Sequence, residues 1–180
     1  ADMKEIHRVA NEYGIRIIED ASHGIGATYA NAPMGNCRYS DIAVFSFHPV
    51  KIVTTAEGGV ATTNSESLAQ SMMLARSHGV TRDPNLMENS SVGGWHYEQI
   101  TLGYNYRMTD LQAALGTSQM TRLTEIIERR VELAAKYDEM LQEIPVKTPI
   151  QSKDTISSWH LYVIRAVSYT HLTLPTMVQG

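Results

Sequence analysis

"SFHPVKIVTTAEGG", residues 46–59, decides how the chain folds. Its lysine, Lys51, follows the apolar run "DIAVFSF" and precedes "EGG", a tight bend into a second apolar run, "VATT". Lysine favours wet surfaces, because taking an ammonium out of water is expensive. A lysine between two runs that both look interior therefore needs a chemical reason for its place.

The flanking pattern supplies the frame. "DIAVFSF" is apolar on both faces, as expected of a strand inside a covered sheet. "GGVATTN" is a second strand, and Asn64 or Ser65 caps a helix holding Leu68, Met72, Ala75 and Arg76. Upstream, Met3, Ile6, Val9, Ala10 and Tyr13 share one helical face, with Asp2 as cap and Gly14 as stop. "IRIIED" is then a short strand ending in two carboxylates, and "GIGATY" a glycine-bearing loop or short strand. This order predicts a layered α/β domain. Residues 79–106 form a long polar connection with four tryptophans and tyrosines, a composition that argues against disorder. Thr109 and Gln112 make a capping-box pattern that opens a helical run to about Leu141. Within that run Leu123, Ile126, Ile127, Arg130, Ala134, Tyr137 and Leu141 keep the spacing of one packed face. "SSWHLYVIRA" is expected to be a strand.

The totals restrict the function classes. The chain has 180 residues, 43% hydrophobic and 19% charged, with net charge −4. That is an ordinary globular composition long enough for a sizeable core. Without a Lys/Arg cluster, nucleic-acid and anionic-membrane partners are not expected. One cysteine, Cys37, rules out an internal disulfide and suits the cytoplasm. No apolar run reaches membrane-spanning length. The histidines and the cysteine show no metal-ligand spacing, so no metal is expected. The last residues, 167–180, carry neither period nor cap. They resemble adapter-derived read-through and are expected to be a non-native tail.

Two ionisable groups stand at strand ends, Asp20 and Lys51. Ligands of open α/β sheets collect where the carboxyl ends of strands meet loops. A partly dehydrated lysine there is a nucleophile toward aldehydes, and a carboxylate can hold the proton on a pyridine nitrogen. Taken alone, Lys51 equally fits a solvated loop and Asp20 a turn cap. Ser46, at the end of its strand, fits either a phosphate donor or a local backbone partner.

Three motifs, "IIEDASHGIGATY", "DIAVFSFHPVKIVTTAEGGVATTN" and "LGYNYRMTDLQAALGTSQMTRL", resemble the DegT/DnrJ/EryC1/StrS sugar aminotransferases. The resemblance runs over residues 1–166. It implies the aspartate-aminotransferase-like (type I) fold of pyridoxal-phosphate enzymes, a mostly parallel sheet flanked by helices. Residues 1–142 would form part of the cofactor-binding large domain with its connecting helix, and 143–166 the start of a small domain. It implies that Lys51 is the Schiff-base lysine, Asp20 the acid at the ring nitrogen and Ser46 the phosphate-binding hydroxyl. His23 would lie beside the ring, near the phenolic oxygen. Asn105 would reach the cofactor phosphate of a neighbouring subunit in a homodimer with shared sites. "SHGVTRDP" and "WHYEQITLGYNYRMTDLQAAL" are most similar to the pseudaminic-acid branch, which transfers an amino group from L-glutamate to C4 of a UDP-4-keto-6-deoxy-N-acetylhexosamine. A perosamine-type aminotransferase and a non-catalytic truncated fragment are the alternatives. The family's dehydratase branch has histidine where Lys51 stands.

The resemblance also implies a Gly-Ser/Thr phosphate loop and a ring-stacking aromatic upstream, neither of which lies in residues 1–180. The 180-residue chain is therefore expected to bind pyridoxal phosphate weakly. A strong lysine–cofactor absorbance band in this chain, abolished by Lys51→Ala, would contradict that expectation.

Overall fold

A computed structural model of the chain describes residues 1–89 and 92–166; the expected non-native tail, 167–180, lies outside them. The first helix, α1 (Met3–Glu12), starts where Asp2 accepts the Glu5 amide N–H at 3.2 Å and ends before Gly14 at φ +65°. Both ends follow from local chemistry: a carboxylate satisfies a free N-terminal amide, and glycine enters the left-handed region without strain.

The main sheet holds β1 (Ile18–Asp20), β4 (Ile42–Ser46) and β5 (Gly59–Thr62), in the order β1-β4-β5. β1 runs parallel to β4, with Asp20 opposite Val44. β5 runs antiparallel to β4, with Ser46 opposite Gly59. Of the two pairings in this sheet among the described residues, one is parallel and one antiparallel. The reason is the connection: residues 47–58 fold straight back, which gives an antiparallel neighbour, whereas parallel neighbours need a longer crossover. Phe47 donates to Gly58 O and Thr55 donates to Phe47 O, closing that loop.

β4 alternates strictly. Ala43 and Phe45 are buried, and Val44 on the other face is 38% exposed. The strand is thus covered on one face among the described residues, not on both as its composition suggested. The core gathers Ala21, Cys37, Ala43, Phe45, Phe47, Ile52 and Val53, backed by Met108, Leu123, Ile126 and Ile127. Gly35, at φ +86°, lets the chain pass against the Phe45 ring; an added Cβ would stand 2.6 Å from it.

Between these strands lie the short antiparallel pair β2 (Thr28–Tyr29) and β3 (Ala32–Pro33), joined by β9 (Thr155–Ile156). α2 (Glu66–Arg76) is capped by Ser65, which accepts the Leu68 amide N–H. The long connection after it is pinned by β6 (Val80–Thr81) against β7 (Glu98–Gln99). Gly79, at φ +68°, brings its backbone so close to Thr101 O that no Cβ would fit.

The capping box at Thr109 and Gln112 forms as expected. The single helical run, however, is two helices, α3 (Asp110–Met120) and α4 (Leu123–Met140). The break falls in a run of hydroxyl residues. Thr117 donates to Ala113 O and Thr121 to Ser118 O, and Arg122 N–H turns to Gln119 O. Such side chains compete for carbonyls and tighten or bend a helix end.

Residues 157–164, expected to be strand, have no regular structure, and only β10 (Arg165–Ala166) pairs, with β8 (Val146–Lys147). Ser157 Oγ accepts the Trp159 amide N–H at 3.1 Å, and Trp159 sits at φ +50°. A side-chain turn of this kind takes the backbone out of the ladder. Truncating the central core ring, Phe45→Ala, is expected to cost about 3–5 kcal/mol in unfolding free energy, measured by chemical denaturation.

Candidate active site

The loop 47–58 places Lys51 from below. Ile52 and Val53, directly after it, are buried in the core, Val53 completely. Lys51 N–H donates to His48 O at 2.9 Å, and Thr54 Oγ1 donates to Phe47 O at 3.2 Å. The backbone is therefore anchored while the lysine side chain stays half-buried. Among the described residues its ammonium makes no hydrogen bond or ion pair.

Asp20 closes β1, one strand over. Because β1 and β4 are parallel, their carboxyl ends meet at the same end of the sheet, and Ala21 N–H donates to Val44 O at 2.8 Å. Asp20 Oδ1 accepts the Ser22 amide N–H at 3.0 Å. Hydrogen bonds from Ser22 hold the Asp20 carboxyl below its ordinary range, and the charges of His23 and Lys51 add to the effect. The Lys51 charge is the weakest of these influences. Asp20 also lines an open cleft of about 540 Å³ with Ile18, Met34, Tyr29 and Ile156.

Ser46 ends β4, half-buried. Its Oγ accepts the His48 amide N–H at 3.4 Å and, among the described residues, donates to nothing. His23, in the turn after β1, is exposed, and its ring lies 4.2 Å from that of His160, centroid to centroid. Asn105 is not brought to this group. It is exposed and bridges to Ser77 beside the C-terminus of α2, with the stacked rings of Tyr104 and Tyr106 on either side at 4.8 Å.

Two residues were missed as site neighbours. His160 faces His23, and burial, followed by the charges of His23 and Lys51, pushes its pKa down. Arg130, on α4, donates from Nη1 to Trp159 O at 2.8 Å and His160 O at 3.4 Å. Arg130 had a signal: it is a charged residue inside an otherwise apolar helical face. His160 had none, since the contact with His23 spans most of the chain.

The donor set suits pyridoxal phosphate. A half-buried primary amine, a carboxylate at the same end of the sheet, and a strand-end hydroxyl with a spare proton match an aldehyde, a pyridinium nitrogen and a phosphate.

This α/β fold, with a lysine and an acid following adjacent parallel strands, is that of aspartate-aminotransferase-like, pyridoxal-phosphate-dependent enzymes. Residues 1–178 match the DegT/DnrJ/EryC1/StrS aminotransferase family, and the chain belongs to it. It is 38% identical over 164 residues to the UDP-4-amino-4,6-dideoxy-N-acetyl-beta-L-altrosamine transaminase of Campylobacter jejuni, covering 91% of this chain and 41% of that protein. Among solved structures it is similar to PseC of Helicobacter pylori, an aminotransferase involved in the biosynthesis of pseudoaminic acid. That match has TM-score 0.80 at 30% identity and covers 91% of this chain and 42% of PseC. The PLP form of Spr1654 from Streptococcus pneumoniae also has TM-score 0.80, at 28% identity, covering 93% of this chain and 45% of that one. The chain thus spans less than half the length of these relatives.

Because the folded Asp20 carboxyl titrates below its ordinary value of 3.8, its stabilising contribution is present above that value and fades as pH falls through the folded one. Ser22→Ala is expected to raise the Asp20 midpoint, followed by carboxyl carbon shifts in an NMR pH titration.

Proposed function

We propose that this chain carries the lysine, the acid and the phosphate hydroxyl of a pyridoxal-phosphate-dependent sugar-nucleotide aminotransferase. In this proposal an amino group passes from L-glutamate to C4 of a UDP-linked 4-keto-6-deoxy-N-acetylhexosamine, the chemistry of the pseudaminic-acid branch. The observation that carries it is the parallel pairing of β1 with β4, which brings Asp20 and the loop that holds Lys51 to one end of the sheet. The sugar assignment rests on the similarity to the C. jejuni transaminase and PseC.

Each residue has a task. The Lys51 amine would hold the cofactor through its aldehyde and, when free, would move a proton to and from the carbon that gains or loses the amino group. Asp20, kept ionised, holds the proton on the ring nitrogen. The cofactor when bound supplies an electron sink for the carbon that loses that proton. Ser46 donates its free hydroxyl proton to the phosphate, and His23 lies beside the ring. Asn105, exposed on the aromatic connection, reaches the phosphate in a partner subunit, which makes the working enzyme a homodimer with shared sites. Residues 1–142 belong to the large domain and 143–166 to the beginning of the small one.

Borohydride reduction of the chain mixed with pyridoxal phosphate tests this directly. Reduction is irreversible, so weak binding still accumulates product. Peptide mass spectrometry is expected to find Lys51 labelled ahead of the other lysines, with the preference lost in Asp20→Asn. Uniform labelling of all lysines would overturn the assignment. Amination of UDP-linked but not GDP-linked 4-keto sugars then tests the substrate.

A further inference from the structure

The segment that should have continued as a strand instead turns at Ser157–His160, and one side chain of that turn, Ser158, leads back to His23. Ser158 is buried, and its hydroxyl donates to His23 O at 3.0 Å across 135 residues of sequence. Arg130 holds the Trp159 and His160 carbonyls from α4. Trp159 occupies the left-handed region at φ +50°, a conformation that costs free energy for a bulky residue and persists where its surroundings enforce it. The product of these constraints is one contact: the His160 ring against the His23 ring, 4.2 Å between centroids with planes at 43°.

We infer that His160 is a positioning residue for His23, holding that imidazole by stacking and keeping the pair from carrying two charges. What His23 touches rests on the aminotransferase proposal; the pairing itself does not. His160 Nδ1 is buried and has no hydrogen-bond partner among the described residues. A protonated His160 would therefore bury an N–H without an acceptor, a costly state. The charged groups acting on it are His23 from the turn after β1, Lys51 from the loop after β4 and Arg130 from α4, all basic. No acid is among the charged groups that act on it. His160 thus stays neutral, and His23 is presented to its ligand in a fixed orientation.

The test is an NMR titration of the imidazoles in the 180-residue chain without cofactor. In the unmodified chain His160 is expected to take its proton below the ordinary imidazole range. In His23→Phe its midpoint is expected to rise by about one pH unit. The ring-current shift on the His23 protons is expected to vanish in His160→Ala and to return in His160→Phe, a rescue that a purely structural histidine would not give. If His160→Ala fails to fold, the other two variants still decide. An unchanged His160 midpoint in His23→Phe, or a His23 ring indifferent to residue 160, would overturn the inference. Failure of Lys51 labelling would instead remove the aminotransferase assignment and leave the paired rings standing.

Discussion

The parallel pairing of β1 with β4 governs the site. Asp20 lies opposite Val44, and the next amide along, that of Ala21, donates to Val44 O. Because the strands run the same way, the residues that follow each of them emerge at one end of the sheet. A strand of opposite direction would send Asp20 to the far end, beyond electrostatic reach of Lys51. A one-residue slip would keep the ends together and turn the carboxylate to the other face, because side chains alternate along a strand. The buried pair Ile52 and Val53 does the equivalent work for the lysine, by fixing the loop from the core side.

Much of this was legible in the sequence wherever the deciding chemistry is local. Asp2, Ser65 and Thr109 each cap the helix that follows, since a cap needs only a side-chain oxygen two or three residues before a free amide. Lys51 and Asp20 stood out because charged groups beside apolar strands are costly anywhere else. What escaped has local as well as distant causes. The break at Thr121 comes from hydroxyls that look innocuous in an otherwise good helical pattern. The departure of residues 157–164 from strand geometry depends on Arg130 and His23, which no window around "SSWH" contains. The mixed character of the sheet follows from a loop that folds back on itself, and composition alone does not reveal its direction.

The connection after α2 shows how a segment without periodicity can still be rigidly placed. The backbones at Gly79 and Gly103 approach so closely that a Cβ on either would strike the opposite chain. Glu98 accepts from the Glu88 and Asn89 amides and from the Asn89 side chain, which ties the far turn to β7. These contacts bring Tyr104, Asn105 and Tyr106 out along the end of α2 as an exposed group instead of folding them inward.

The outer edge of β1 is unpaired among the described residues, and Ile18 on it is 68% exposed. A bare row of amides and carbonyls flanked by a branched apolar side chain is a template for any extended peptide that comes near it. In concentrated solution such an edge is expected to pair with copies of itself, on the very strand that ends in Asp20. A strand laid along that border would both quench the stickiness and wall in the cleft that Asp20 lines.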